Sequence, residues 1–216
     1  EQFILVNSTK PLPKDLIYEL LPSTETQLAQ VLEKRKLPAL LSNELNFPAD
    51  FDIEHCPFAA RIKTPTNPSG TISYNSVLKV LEHSLSDGIL MRYIATNDGH
   101  PDIPGMVQIL NNYWGAVSNI FAHAWSLPPS KSRLTHGAGM VAMGFLMDTI
   151  YERHDGDINL KRETIQNELI RLANKCAWTE GNWNFGDQPR AWNDIQNLPK
   201  DIELLTNYMV SLYLKA

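Results

Sequence analysis

Apolar residues recur three and four positions apart along most of the chain, the spacing that puts them on one face of a helix. Pro13 to Leu21 predicts a short helix, with proline at its start and Pro22 stopping it. Thr24 and Gln27 resemble a capping box, and Leu28, Val31 and Leu32 give one apolar face up to Lys34-Arg35-Lys36. Pro38 to Leu45 predicts another short helix. Pro48 to Gly70 is a polar connection punctuated by proline, within which Ala59 to Lys63 is suited to pair as a strand. A helix starting at Ser73 or Asn75 carries Val77, Leu78, Val80 and Leu81, and Asn97 to Gly105 is dense in turn formers.

Met106 to Trp125 shows two parallel stripes, one through Leu110, Tyr113 and Val117 and one through Trp114, Phe121 and Trp125. Most of its circumference is therefore apolar, as in a core helix. Pro128-Pro129 ends it. Met140 to Tyr151 is hydrophobic almost all round and belongs at the centre of the molecule. Lys161 to Cys176 is amphipathic, and an aromatic loop with Trp178, Trp183, Phe185 and Trp192 follows. Pro199, Asp201 and Glu203 open a last helix whose stripe is Ile202, Leu205, Tyr208 or Met209, and Leu212. The fold class that follows is mainly α: an irregular helical bundle around the Met140–Tyr151 helix, with at most a minor β element.

A chain of 216 residues can bury a core without disulfides or metals, and 43% hydrophobic content excludes disorder. The formal charge of −5 argues against nucleic-acid wrapping by bulk electrostatics, so any such contact is expected to be local or made by a part outside this chain. Cys56 and Cys176 have no CxxC partner, which suits a reducing compartment and argues against a metal ribbon. Ile103 to Ser130 lacks Asp, Glu, Lys and Arg, yet Gln108, Asn111, Asn112, Asn119 and His123 interrupt it, so no membrane span is expected. The opening residues, Glu1 to Asn7, read as protein interior rather than a signal peptide, and the chain is expected to be a fragment or processed product.

The six histidines are scattered without HExxH or Cys/His spacing, so neither a metal nor a cofactor is implied. No serine or cysteine elbow suggests a nucleophile. Asp98-Gly99-His100 is ordinary turn chemistry, and Asp148 with Glu152 reads as the solvated edge of a buried helix. Ser132 to Gly144 offers an anion site at a helix start: Thr135 as cap, Gly137 and Gly139 for close backbone approach, Arg133 and His136 beside the first-turn amides. The same small residues, with Ala138, Ala142 and Gly144, permit close helix packing, which is the reading the sequence favours. In the aromatic loop, Trp183 and Trp192 beside Arg190 are interaction candidates that suit stacking on bases. A loop pinned to the core by its tryptophans, with Asn193, Asp194 and Gln196 capping the final helix, is the favoured reading, because aromatics on this scale normally bury area.

Phe3-Ile-Leu-Val-Asn-Ser-Thr-Lys-Pro followed by the Leu16–Leu21 helix resembles a segment of DGQHR-domain proteins, where it follows the Asp-Gly-Gln-His-Arg motif of a ParB-like fold. Ser69-Gly-Thr-Ile-Ser-Tyr-Asn-Ser-Val, the Thr135-His-Gly-Ala-Gly helix, Trp192-Asn-Asp-Ile-Gln-Asn and Lys200-Asp-Ile-Glu-Leu-Leu are similar to the family's later, helical part. The signature itself is absent from this chain. The resemblance implies a tail of the ParB-like region over 1–50, a connection over 51–72 and a helical domain over 73–216. It also implies a bacterial, cytoplasmic protein associated with DNA modification, its regulation and defence against foreign DNA, the best-known relatives being regulators of DNA phosphorothioation. DNA or a nucleotide would then be met through the part preceding this chain, with a protein partner or a second copy as other partners. The expected function is non-catalytic binding; the alternatives are an enzyme acting on a nucleotide or phosphate ester at Thr135–Gly139 and a protein-interaction module at Trp183 and Trp192.

Overall fold

The computed structural model describes residues 33–48, 56–95, 99–186 and 189–215. The expected Phe3–Val6 run, the Pro13–Leu21 helix and the Thr24 capping box lie outside these residues. Among the described residues the chain is mainly helical, with seven α-helices and two small two-stranded sheets.

Helix α1 spans Glu33–Asn46 and runs through Pro38, where the sequence pattern places a fresh start. Proline there removes one ladder donor early in the helix, a tolerable loss beside the burial of Ala39, Leu41 and Leu45. The strand expected within Ala59–Lys63 is β1, Ile62–Lys63, which pairs in parallel with β2, Ile72–Ser73. Asn46 ties this pair to α1. Its Oδ1 accepts from Ile62 N–H at 2.9 Å and its Nδ2 donates to Ile62 O at 3.1 Å. A buried carboxamide thereby satisfies both backbone groups of the residue that opens a very short strand.

Helix α2, Tyr74–Asp87, leads through a 3₁₀ turn at Ile89–Tyr93 to α3, Ile103–Ile120. The start of α3 precedes the expected Met106 because Asp102 caps it, accepting from Gly105 N–H at 2.9 Å. Pro104 sits in the first turn, where a missing donor costs little. The apolar stretch to Trp125 is broken at Phe121, leaving α4 as Ala122–Ser126. Helix α5 is Gly137–Arg153 and α6 is Arg162–Ala173. The hairpin β3, Asn182–Asn184, and β4, Pro189–Ala191, precedes α7, Pro199–Lys215.

The central position of α5 follows from its all-round hydrophobicity: it packs on α2 and on α7, while α6 packs on α3. Its ties to α3 are polar as well. Tyr113 donates to Met143 O at 2.6 Å and Tyr151 to Ile109 O at 3.3 Å, so two phenols enter the core with their hydroxyls satisfied. Helix α7 turns Leu205, Met209 and Tyr213 inward, so its buried stripe ends on Tyr213 rather than Leu212. One hydrophobic core runs from Leu41 and Ile62 through α2, α3 and α5 to Leu205. Among the described residues no helix is long and apolar enough to cross a membrane.

Candidate functional site

The segment leading into α5 folds back over the helix it starts. Arg133 is 8% exposed; its guanidinium donates to Asn193 O at 2.7 Å and Pro129 O at 3.3 Å and lies over the Trp192 ring. Burial lowers its pKa, partly opposed by Asp194. Thr135 does not cap the helix: its hydroxyl donates to Leu127 O at 2.9 Å. The cap is His136, whose Nδ1 accepts from Ala138 N–H at 3.5 Å. Burial, and then Arg133, lower the His136 pKa, which favours the neutral ring that can accept this bond. Gly137 lies against the Asn197 side chain and Gly139 against the Arg133 carbonyl. The structure thus brings all five predicted anion-site residues together, four of them buried; Arg133 and Gly137 meet Trp192, Asn193 and Asn197, while Thr135, His136 and Gly139 contact the turn and helix start themselves.

The aromatic segment is anchored by that arrangement and by its own tryptophans. Strand β3 alternates exposed, buried, exposed, so Trp183 points into the core while Asn182 and Asn184 share the outer face. Trp183 is fully buried, edge-on to Trp178 at 4.9 Å and to Tyr208 at 6.0 Å. It therefore offers no face to a partner; of the two tryptophan candidates, only Trp192 reaches the surface. Arg190 pairs with Asp201 at 2.9 Å and donates to Asp194 O at 2.8 Å. The expected capping of α7 is reversed in sense: Gln196 N–H donates to Asp201 at 2.8 Å, and Asp194 accepts from Ala191 N–H at 3.2 Å.

Arg190, helped by Gln196 N–H, holds the Asp201 carboxyl below the usual aspartate range against the opposing effect of burial. A depressed native pKa stabilises the fold above the unfolded value, about 3.9, and that contribution disappears as pH falls through the native value. Urea unfolding of the wild type and Asp201→Asn at a series of pH values should show a constant gap above about pH 4, closing on further acidification. A gap independent of pH would show that the ion pair contributes nothing through charge.

Two open clefts meet at Glu180. The smaller, about 350 Å³, is lined by His123, Ser130, Lys131, Thr179 and Trp192 with Leu127. The larger, about 570 Å³, lies between the Asn182–Asn184 strand, the end of α6 at Asn174 and Lys175, and Tyr208 of α7. Cys176 is at its base. The thiol donates to Leu172 O at 3.2 Å, and burial pushes its pKa up to about 12, so it is not a nucleophile at neutral pH. None of the five anion-site candidates lines either cleft.

Two polar clusters elsewhere were not legible as such in the sequence. Asp148 is not a solvated edge: its carboxylate accepts from Ser84 Oγ at 2.5 Å and Ile89 N–H at 3.0 Å, and lies 3.8 Å from His83 Nε2. Burial raises its pKa despite these bonds. Ser84 is fully buried and spends its proton on Asp148, so the trio is a brace for the 3₁₀ turn and not a nucleophilic triad. Just beyond the C-terminal end of α5, His154 Nε2 is 2.6 Å from Glu168, which also accepts from the Tyr213 hydroxyl. Burial, reinforced by Glu168, pushes Tyr213 up to about 12. Among the described residues no three His, Cys, Asp or Glu side chains converge as a metal-binding group.

No protein-family model, no curated protein and no solved structure matches this chain.

Proposed function

We propose that this chain is the helical, binding part of a DGQHR-type protein, and that it engages nucleic acid through the clefts flanking Glu180. The observation that carries the reading is the make-up of the smaller cleft. Lys131 supplies a phosphate contact, Ser130 and Thr179 supply hydroxyl donors, and Trp192 supplies a ring already backed by the Arg133 guanidinium. A cation, hydroxyls and an aromatic plane within one concavity are what a strand's backbone and bases require. The resemblance of the Thr135–Gly139 and Trp192–Asn197 segments to proteins of DNA modification and defence supports the same reading. The net charge of −5 confines the attraction to this surface, and Lys131 and Lys175 are the cations that line the two clefts.

That restriction makes the reading quantitative. With two lysines on phosphates, the log–log salt dependence of binding to a single strand should have a shallow slope of about −1.4. Fluorescence anisotropy of a labelled single strand over a salt series measures it. Lys131→Ala should flatten the slope by roughly 0.7, while Trp192→Ala should weaken binding by about 1–3 kcal/mol with little change in slope. The absence of any salt-sensitive binding to single strands or duplexes overturns the reading.

A further inference from the structure

The larger cleft differs in chemistry from the smaller one, and the difference assigns it a task. Its outer wall is β3, where the strand alternation presents Asn182 and Asn184 side by side while Trp183 locks the strand into the core. Gly181, at a φ of +75°, makes the turn into this strand, and its carbonyl accepts from Trp192 N–H at 3.0 Å. Asn184 Oδ1 accepts from Gly186 N–H at 3.4 Å. The opposite wall carries a third carboxamide, Asn174, together with Tyr208, whose ring is fixed by a hydrogen bond to Lys175 O at 3.2 Å and by edge contact with Phe185 at 5.1 Å.

Three carboxamides, a carboxylate and one ammonium form a donor and acceptor array with little net charge. Such an array is poorly matched to a polyphosphate, which calls for several cations or a run of free amides. It is well matched to the edge of a nucleobase: asparagine pairs in bidentate fashion with adenine, and a carboxylate such as Glu180 accepts from an exocyclic amine. The shape narrows the choice further. Bases stacked in a duplex are read by elements that protrude into a groove, whereas a concave wall can meet a base edge only after the base has left the stack.

From these features we infer that the cleft between β3 and Tyr208 receives an unstacked, amine-bearing nucleobase, its edge read by Asn182 and Asn184. The strand's backbone continues past Glu180 into the smaller cleft. This inference rests on the nucleic-acid reading above and adds the part of the ligand that is recognised. It makes base preference and overall affinity separable: the preference belongs to the asparagines and the affinity to Lys131 and Trp192.

The test compares labelled homopolymeric strands of dA, dC and dT on the wild type and on the double variant Asn182→Ala, Asn184→Ala. Both side chains are exposed, so the variant should unfold at the wild-type temperature. The wild type should prefer dA or dC over dT by roughly fivefold or more, and the variant should bind all three alike with an unchanged salt slope. Pairing the preferred strand with its complement should abolish the preference. A wild type without preference, or a variant that keeps it, overturns this inference while leaving strand binding intact; failure of all strands to bind overturns the earlier reading instead.

Discussion

Trp183→Ala is expected to lower the stability of the protein by about 3–5 kcal/mol, the cost of deleting a large, fully buried aromatic side chain. The effect exceeds the area lost, because the ring is the hub of a cluster. Trp178 meets it edge-on at 4.9 Å, Tyr208 at 6.0 Å, and Phe185 stacks on it at 6.1 Å. Each such pair adds about 0.5–1.5 kcal/mol beyond burial, and removing the hub breaks all three at once. The strands it fastens are only three residues each and, among the described residues, pair only with each other, so the hairpin has little of its own to hold it once the ring is gone. Urea unfolding with an unchanged m-value would report this as a stability loss. A loss below about 1 kcal/mol would mean that the ring is not in the core. Trp192→Ala provides the contrast: its ring is half-buried and lines the smaller cleft, so its removal should weigh on binding more than on folding.

The contrast between these two tryptophans shows where the sequence was readable. Their local settings are alike, each in a polar, glycine-bearing stretch, and either suits stacking or anchoring. The choice is made by residues far away in the chain, Tyr208 beneath one ring and Arg133 above the other. Helix α5 needed no such help, since side chains that are apolar on every side have only one stable location. The same is true of α2 and α3, whose periodicity outlasts any local accident, although Phe121 breaks α3 where the stripes continue. Asp148 was opaque for the opposite reason. On a helical wheel it belongs with Glu152 at the wet edge, and only the return of the Ile89–Tyr93 turn onto α5 buries it. The clefts at Glu180 were not legible because their walls come from α4, the Pro128–Lys131 turn, β3, α6 and α7, which no spacing rule brings together. At Thr135 the helix starts close to where the sequence places it, but the cap is His136, whose Nδ1 accepts from Ala138 N–H, while the Thr135 hydroxyl is turned away to donate to Leu127 O.

Gly139→Ala should destabilise by about 2–3 kcal/mol, and the sign matters more than the size, because ordinary helix energetics predict the reverse. Gly139 lies in the first turn of α5, where alanine is favoured over glycine by about 1 kcal/mol. An added Cβ, however, would sit 1.8 Å from the Arg133 carbonyl oxygen and 2.9 Å from Leu134 Cα. Both are backbone, so no rotamer change relieves the overlap; the Arg133–Leu134 strand of chain has to move away from the helix. Arg133 cannot move freely. Its N–H donates to Trp178 O at 2.7 Å and its guanidinium to Asn193 O at 2.7 Å, so the shift would loosen the fastening of the whole aromatic segment. The expected signature is a lowered unfolding midpoint together with weaker strand binding at the cleft that Trp192 lines. An alanine variant more stable than the wild type would place the Arg133 carbonyl elsewhere and remove the physical basis for a rigid segment between α5 and α7.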